Sequence, residues 1–157
     1  MFRRQTNEGR IQTLKGLPLF QRCSPKELER IDRIMTEIHV PAGQMLTYIG
    51  EPGDEFFIIL AGKASVWCDG VQLDVLGAGS FFGEIALLGR SVRTANVVAD
   101  TEMRLLVMSR REFRSTHFLL ANVAEAMLNE ISRRLSRADE GWATSETRRE
   151  GVRSLPR

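Results

Sequence analysis

From Met45 to Ser109 short β-rich segments alternate with turns that mostly contain glycine; this spacing constrains the fold more than any other feature. The runs Met45–Ile49, Phe56–Leu60, Ala64–Cys68, Gln72–Leu76, Ala95–Ala99 and Arg104–Met108 favour β-branched and aromatic residues. Between them stand Glu51-Pro52-Gly53-Asp54, Ala61-Gly62, Asp69-Gly70 and Gly77-Ala78-Gly79. Short strands with a turn roughly every ten residues predict an antiparallel sandwich or barrel, such as a jelly roll. Parallel pairing would need helical crossovers of a dozen or more residues, and the linkers leave no room for them.

Helices are expected on both flanks. Ser24-Pro25-Lys26-Glu27 is a capping box with proline at the first helical position. Leu28, Ile31, Ile34 and Met35 then recur at helical spacing, and Pro41-Ala42-Gly43 stops the region. Ser109-Arg110-Arg111-Glu112 is a second capping box. Beyond it Leu120, Val123, Ala124, Met127, Leu128, Ile131 and Leu135 form an apolar stripe, and Gly141 ends the periodic pattern. The organisation expected is a basic N-terminal arm over 1–16, one domain over 17–137 with C-terminal helices from 109, and a polar tail over 138–157. A chain of 157 residues can bury one substantial core and carry such tails.

Composition removes several function classes. At 43% hydrophobic and 27% charged, the chain reads as globular rather than disordered. A formal charge of +2 does not announce a nucleic-acid binder. No apolar run approaches the roughly 20 residues that span a bilayer, and Met1 to Arg10 lacks the apolar stretch of a secretory signal. A cytoplasmic location is therefore expected, with no membrane partner. Cys23 and Cys68 form no Cys-x-x-Cys pattern, and no disulfide is expected.

Chemistry concentrates in the stretch from Gly79 to Ala95. Glu84 to Leu88 reads as a single helical turn between Gly83 and Gly89. Such a turn offers unpaired N–H groups at Ile85, Ala86 and Leu87 to an anion. Arg93 follows nine residues after Glu84, and its planar fork suits phosphate. Glu84 sharpens the expectation. A carboxylate beside a phosphate is repulsive unless it accepts from a hydroxyl, and a ribose 2′-OH adjoining the phosphate supplies one. The pair points to a sugar phosphate. The competing reading is a surface ion pair contributing about 0–1 kcal/mol.

The surrounding pattern separates the two. Phe82-Gly83-Glu84-Ile85-Ala86-Leu87-Leu88, followed by Arg93-Thr94-Ala95-Asn96-Val97, closely resembles the phosphate-binding cassette of the cyclic nucleotide-binding domain family. The resemblance takes in Leu17-Pro18-Leu19-Phe20, Gly50-Glu51-Pro52-Gly53-Asp54, Phe57-Ile58-Ile59 and Gly62, and runs through Ser109-Arg110-Arg111-Glu112-Phe113 to Leu135.

That resemblance implies an eight-stranded antiparallel jelly roll with an N-terminal helical segment and C-terminal helices. It implies that Glu84 takes the ribose 2′-OH and Arg93 the exocyclic phosphate oxygens. Backbone N–H groups of Ile85, Ala86 and Ala95 would complete the cradle, and Gly83 would let the backbone approach the ribose. Thr94 stands where family members can contact guanine, yet cAMP-responsive members also carry Ser or Thr there, and cAMP is favoured over cGMP. The C-terminal helix would act as a lid, with Leu128, Ile131, Arg134 and Leu135 as candidates to cap the base. For the leucines the alternatives are core packing or a homodimer contact like that of the catabolite-activator group. An effector protein is implied but not identified.

Two other classes compete. A cupin-like metal enzyme would need clustered histidines and carboxylates, and His39 and His117 are the only histidines. No catalytic residue, metal ligand or resident cofactor is expected. A nucleic-acid-binding regulator could use Arg133, Arg134 and Arg137, but no helix-turn-helix is recognisable, and only about twenty residues follow Arg137.

Overall fold

The computed structural model describes residues 7–84, 92–115, 123 and 125–136. Ser24 and Ser109 both cap as their sequences predict. Each hydroxyl accepts from the backbone N–H three residues on, and Glu27 and Glu112 accept in return from the cap N–H groups. They open α2 (Pro25–Ile34) and α3 (Arg110–Arg114). A further helix covers residues 125–136. Residues 7–16, expected as a basic arm, are instead α1 (Asn7–Gly16). This helix is tied down by Arg10, which ion-pairs with Asp32 at 2.8 Å and donates to the Met35 carbonyl at 3.2 Å.

Eight strands occupy the described residues, every pair antiparallel. They are β1 (Thr36–Val40), β2 (Met45–Thr47), β3 (Glu55–Ala61), β4 (Ala64–Cys68), β5 (Val71–Leu76), β6 (Phe81–Phe82), β7 (Asn96–Ala99) and β8 (Met103–Ser109). One sheet has the order β1-β8-β3-β6 and the other β2-β7-β4-β5. The chain changes sheet at every connection except the β4–β5 hairpin. That hairpin turns on Asp69 and Gly70, both at positive φ (50° and 75°), the geometry of a type I′ turn.

The first sheet is covered on both sides. Between the sheets lie Phe57, Ile59, Phe82, Val97 and Leu105. On its other face Phe56, Ile58, Phe81 and Leu106 pack against Leu14, Phe20, Leu28, Ile31, Met127 and other helical side chains. Phe56 to Ile59 are therefore all buried, which is why β3 reads as a continuous apolar run rather than an alternating one. This three-layer arrangement holds β3 and β6 rigidly beneath the cassette. Cys23 and Cys68 are both free and half-buried.

Candidate functional site

The site begins where β6 ends. Phe82 pairs with Phe57 and Phe81 with Ile58, and the Phe57 and Phe82 rings stack with centroids 4.7 Å apart. The chain then turns through Gly83 at φ +78°, a region that disfavours side chains. Space is short as well: a Cβ on Gly83 would stand 2.7 Å from the Glu55 carbonyl and 2.8 Å from Arg93 Nη1. The glycine is thus required by the turn, by β3 and by the arginine, even before any ribose is considered.

Arg93 enters from the segment just before β7. Its main chain is fixed by a short ladder, the Gly50 N–H donating to the Arg93 carbonyl and the Arg93 N–H to Glu51, both at 2.8 Å. Pro52 and Val92 bridge beside it. The side chain crosses Gly53, and Nη2 donates to the Glu55 carbonyl at 2.9 Å. The guanidinium carbon lies 5.8 Å from the Phe57 ring centre. Burial lowers the Arg93 pKa below its ordinary value, and the carboxylates of Glu55, Asp54 and Glu84 oppose that shift. The guanidinium stays protonated at neutral pH, so the corner presents a partly desolvated, fixed cation. A small cavity of about 240 Å³ opens beside it, lined by Thr47, Tyr48, Glu51, Gly53, Glu55 and Arg93 among others.

Glu84 follows the Gly83 turn, and its charge acts on Arg93. Its carboxylate is largely buried (13% exposed) and lies 3.7 Å from Arg134 Nη1. Arg134, on the helix at 125–136, also donates to the Phe81 carbonyl, pairs with Glu130 at 3.4 Å and stands 4.8 Å above the Phe81 ring. One side chain thereby docks the C-terminal helix onto the cassette.

Gly83 is therefore set against Arg93, and Glu84, the next residue, against Arg134. Ile85 and Ala86 lie outside the described residues. Thr94 is exposed and Ala95 half-buried, with the Ala95 carbonyl accepting from the Thr47 hydroxyl at 2.9 Å. Leu128 and Leu135 do not reach the site here. They are 60% and 62% exposed, and Ile131 is half-buried. Helical geometry explains this. Val123, Met127, Glu130 and Arg134 follow one face, whereas Leu128 and Leu135 sit a full heptad apart on another. The sequence stripe merged two faces. The sequence reading also assigned no site role to Gly53 or the Glu55 carbonyl. Gly53 was visible only as a turn residue, and a main-chain acceptor leaves no signal in residue types.

A larger cleft, about 490 Å³, lies between the Pro18–Phe20 turn and the C-terminal helix. Its Arg22–Glu125 and Arg133–Glu130 charges are paired at 2.9 and 3.0 Å. Among the described residues no cluster of His, Cys, Asp and Glu is arranged to hold a metal, and no helix is long and apolar enough to cross a membrane.

A fixed arginine on a glycine-lined corner of a jelly roll, beside the turn that leads into Glu84, coincides with a match to the cyclic nucleotide-binding domain family model over residues 37–117. The chain belongs to that family. It is 39% identical over 102 residues to a cyclic nucleotide-gated potassium channel of Mesorhizobium japonicum, covering 65% of this chain and 28% of the channel. It is 34% identical over 103 residues to a cAMP-dependent protein kinase regulatory subunit of Emericella nidulans, covering 64% of this chain and 25% of that protein. Cyclic nucleotide-binding domains of this kind are regulatory sensors rather than catalysts. In fold the chain is similar to cAMP-bound PfPKA-R, with a TM-score of 0.76 at 22% identity over 85% of this chain and 46% of that one. The chain spans only about a quarter to a third of the length of the first curated relatives it matches.

Proposed function

We propose that this cyclic nucleotide-binding domain is a non-catalytic cAMP sensor in which Glu84 accepts from the ribose 2′-OH and Arg93 holds the cyclic phosphate. The observation that carries this reading is the Arg93 guanidinium held on a glycine-lined corner against Gly83, the residue that directly precedes Glu84. Backbone N–H groups of Ile85, Ala86 and Ala95 complete the phosphate cradle, and Thr94, being exposed, is available to the base. cAMP is favoured over cGMP.

The sensor occupies residues 17–137, with 109–137 as the lid, and acts in the cytoplasm. Arg134 supports the lid role because it ties the C-terminal helix to both Phe81 and Glu84. Ligand in the cassette and helix position are then coupled through shared contacts, and the helix passes its rearrangement to an effector or a second subunit. The exposed Leu128 and Leu135 suit a homodimer contact better than base capping.

Calorimetric titration with cAMP, cGMP and 5′-AMP tests the proposal. Micromolar or tighter binding of a cyclic nucleotide, weakened roughly a hundredfold or more in Arg93→Ala, is expected. Absence of heat with both cyclic nucleotides would refute it. A salt-dependent gel shift separates this reading from a nucleic-acid-binding one, for which no retardation is expected.

A further inference from the structure

We infer that Gly53 is a positioning residue for Arg93: the volume its side chain would fill is the passage through which the arginine reaches the phosphate subsite. The inference rests on the cyclic nucleotide reading above for its functional consequence, but the geometry stands apart from it. A Cβ built on Gly53 would lie 2.5 Å from Arg93 Cζ and 2.8 Å from Nη2, with Nε nearer still. Real Cβ atoms do not tolerate such separations.

The backbone does not itself demand glycine at this position. Gly53 is not among the residues at positive φ. Gly50, in the same turn, shows the opposite case, with φ +83° and nothing near its Cβ position. Two glycines three residues apart thus serve different purposes: Gly50 allows the chain to turn and Gly53 leaves room for a side chain. On the far side Gly83 approaches Nη1, where a Cβ would stand 2.8 Å away. The guanidinium is consequently held between two glycines, against the Glu55 carbonyl at 2.9 Å and over Phe57.

An arginine confined to one geometry before ligand arrives loses less side-chain freedom on binding. A methyl group at position 53 meets the flexible end of a long side chain, so the fold can survive by expelling the guanidinium. What is lost is the placement of the charge, not the sheet. This separates Gly53 from glycines whose substitution breaks the backbone.

The test is a cycle of Gly53→Ala, Arg93→Ala and the double variant, with Gly77→Ala as control, since Gly77 has open space around its Cβ position. Binding of cAMP is followed by calorimetry. Placement of the arginine is followed by its Nε–H signal in 1H–15N spectra, identified by its loss in Arg93→Ala. Gly53→Ala is expected to move that signal and to weaken cAMP binding about tenfold or more, while Gly77→Ala does neither. In the Arg93→Ala background, Gly53→Ala should cost nothing further, because the group it obstructs is gone. Wild-type affinity in Gly53→Ala, an unmoved Nε–H signal, or fully additive losses would each overturn the inference. If the wild-type chain binds no cyclic nucleotide, the functional reading fails, and the Nε–H signal alone decides whether Gly53 places Arg93. If Gly53→Ala does not fold, the double variant decides: recovery of folding supports the clash with Arg93, and failure of both overturns it.

Discussion

Two arginines approach the cassette, and they are held in different ways. Arg93 belongs to the frame. Its main chain is fixed by paired backbone bonds to Gly50 and Glu51, and its side chain runs between glycines onto a main-chain carbonyl of β3. Arg134 belongs to a separate helix and reaches across to Glu84, Glu130 and the Phe81 carbonyl. Moving the Arg93 main chain would require breaking its paired bonds to Gly50 and Glu51. Moving Arg134 exchanges its side-chain contacts with Glu84 and the Phe81 carbonyl for water, and a lift of its helix would also uncover Met127. The first arrangement suits a permanent anion site, the second a reversible tie between ligand and helix.

Four perturbations would break or sharpen that contrast, and they differ in size. Removing the frame should have the largest effect. Phe56 is fully buried against Phe81, ring centres 5.6 Å apart, and Phe56→Ala should cost about 3–5 kcal/mol. Denaturant unfolding measures it; a loss below about 1 kcal/mol would mean the sheet is not the rigid element supposed. Arg93→Ala comes next. Two charge-assisted bonds at about 1.5–3 kcal/mol each imply roughly a hundredfold or greater loss of cAMP affinity by calorimetry, with little change in unfolding.

Glu84→Ala should weaken cAMP about tenfold or more, from the loss of one charge-assisted bond to the ribose. Its distinguishing mark is selectivity: 2′-deoxy-cAMP should lose affinity against wild type but not against Glu84→Ala. Equal discrimination by both proteins would remove Glu84 from the ribose. The smallest binding effect is expected for Arg134→Ala. Its ion pair with Glu84 is long, at 3.7 Å, and Glu130 lies on its own helix, so a loss of about two- to fivefold is expected, the scale of up to about 1 kcal/mol. Hydrogen exchange over residues 125–136 should rise at the same time. A hundredfold loss for Arg134→Ala would place it in the frame with Arg93 and erase the contrast.

Much of the fold was legible because local chemistry and tertiary outcome agree. The two serine capping boxes, the Asp69-Gly70 hairpin and the span Ala64–Cys68 all appear where sequence rules put them. The elements not foreseen are those with weak local signals. Strand β1 is Thr-Glu-Ile-His-Val, half exposed and without clean alternation. Strand β6 is only two phenylalanines, one facing each core, too short to show a period. Helix α1 carries two glycines and few apolar residues, and is secured by the buried Leu14 and the Arg10–Asp32 pair rather than by an amphipathic face.

Residue types and their order determined the family, the mainly antiparallel β architecture and the two charged groups of the cassette. Such features follow from caps, turns and charge, which act within a few residues of the chain. Tertiary structure alone decided that Arg93 passes across Gly53, that Glu84 meets Arg134, and that Leu128 and Leu135 face outward. These depend on which segments cross in space, and on the rotation of a helix about its axis when it docks. Contacts between residues forty or fifty positions apart are set by packing of the whole core, and no local pattern encodes them.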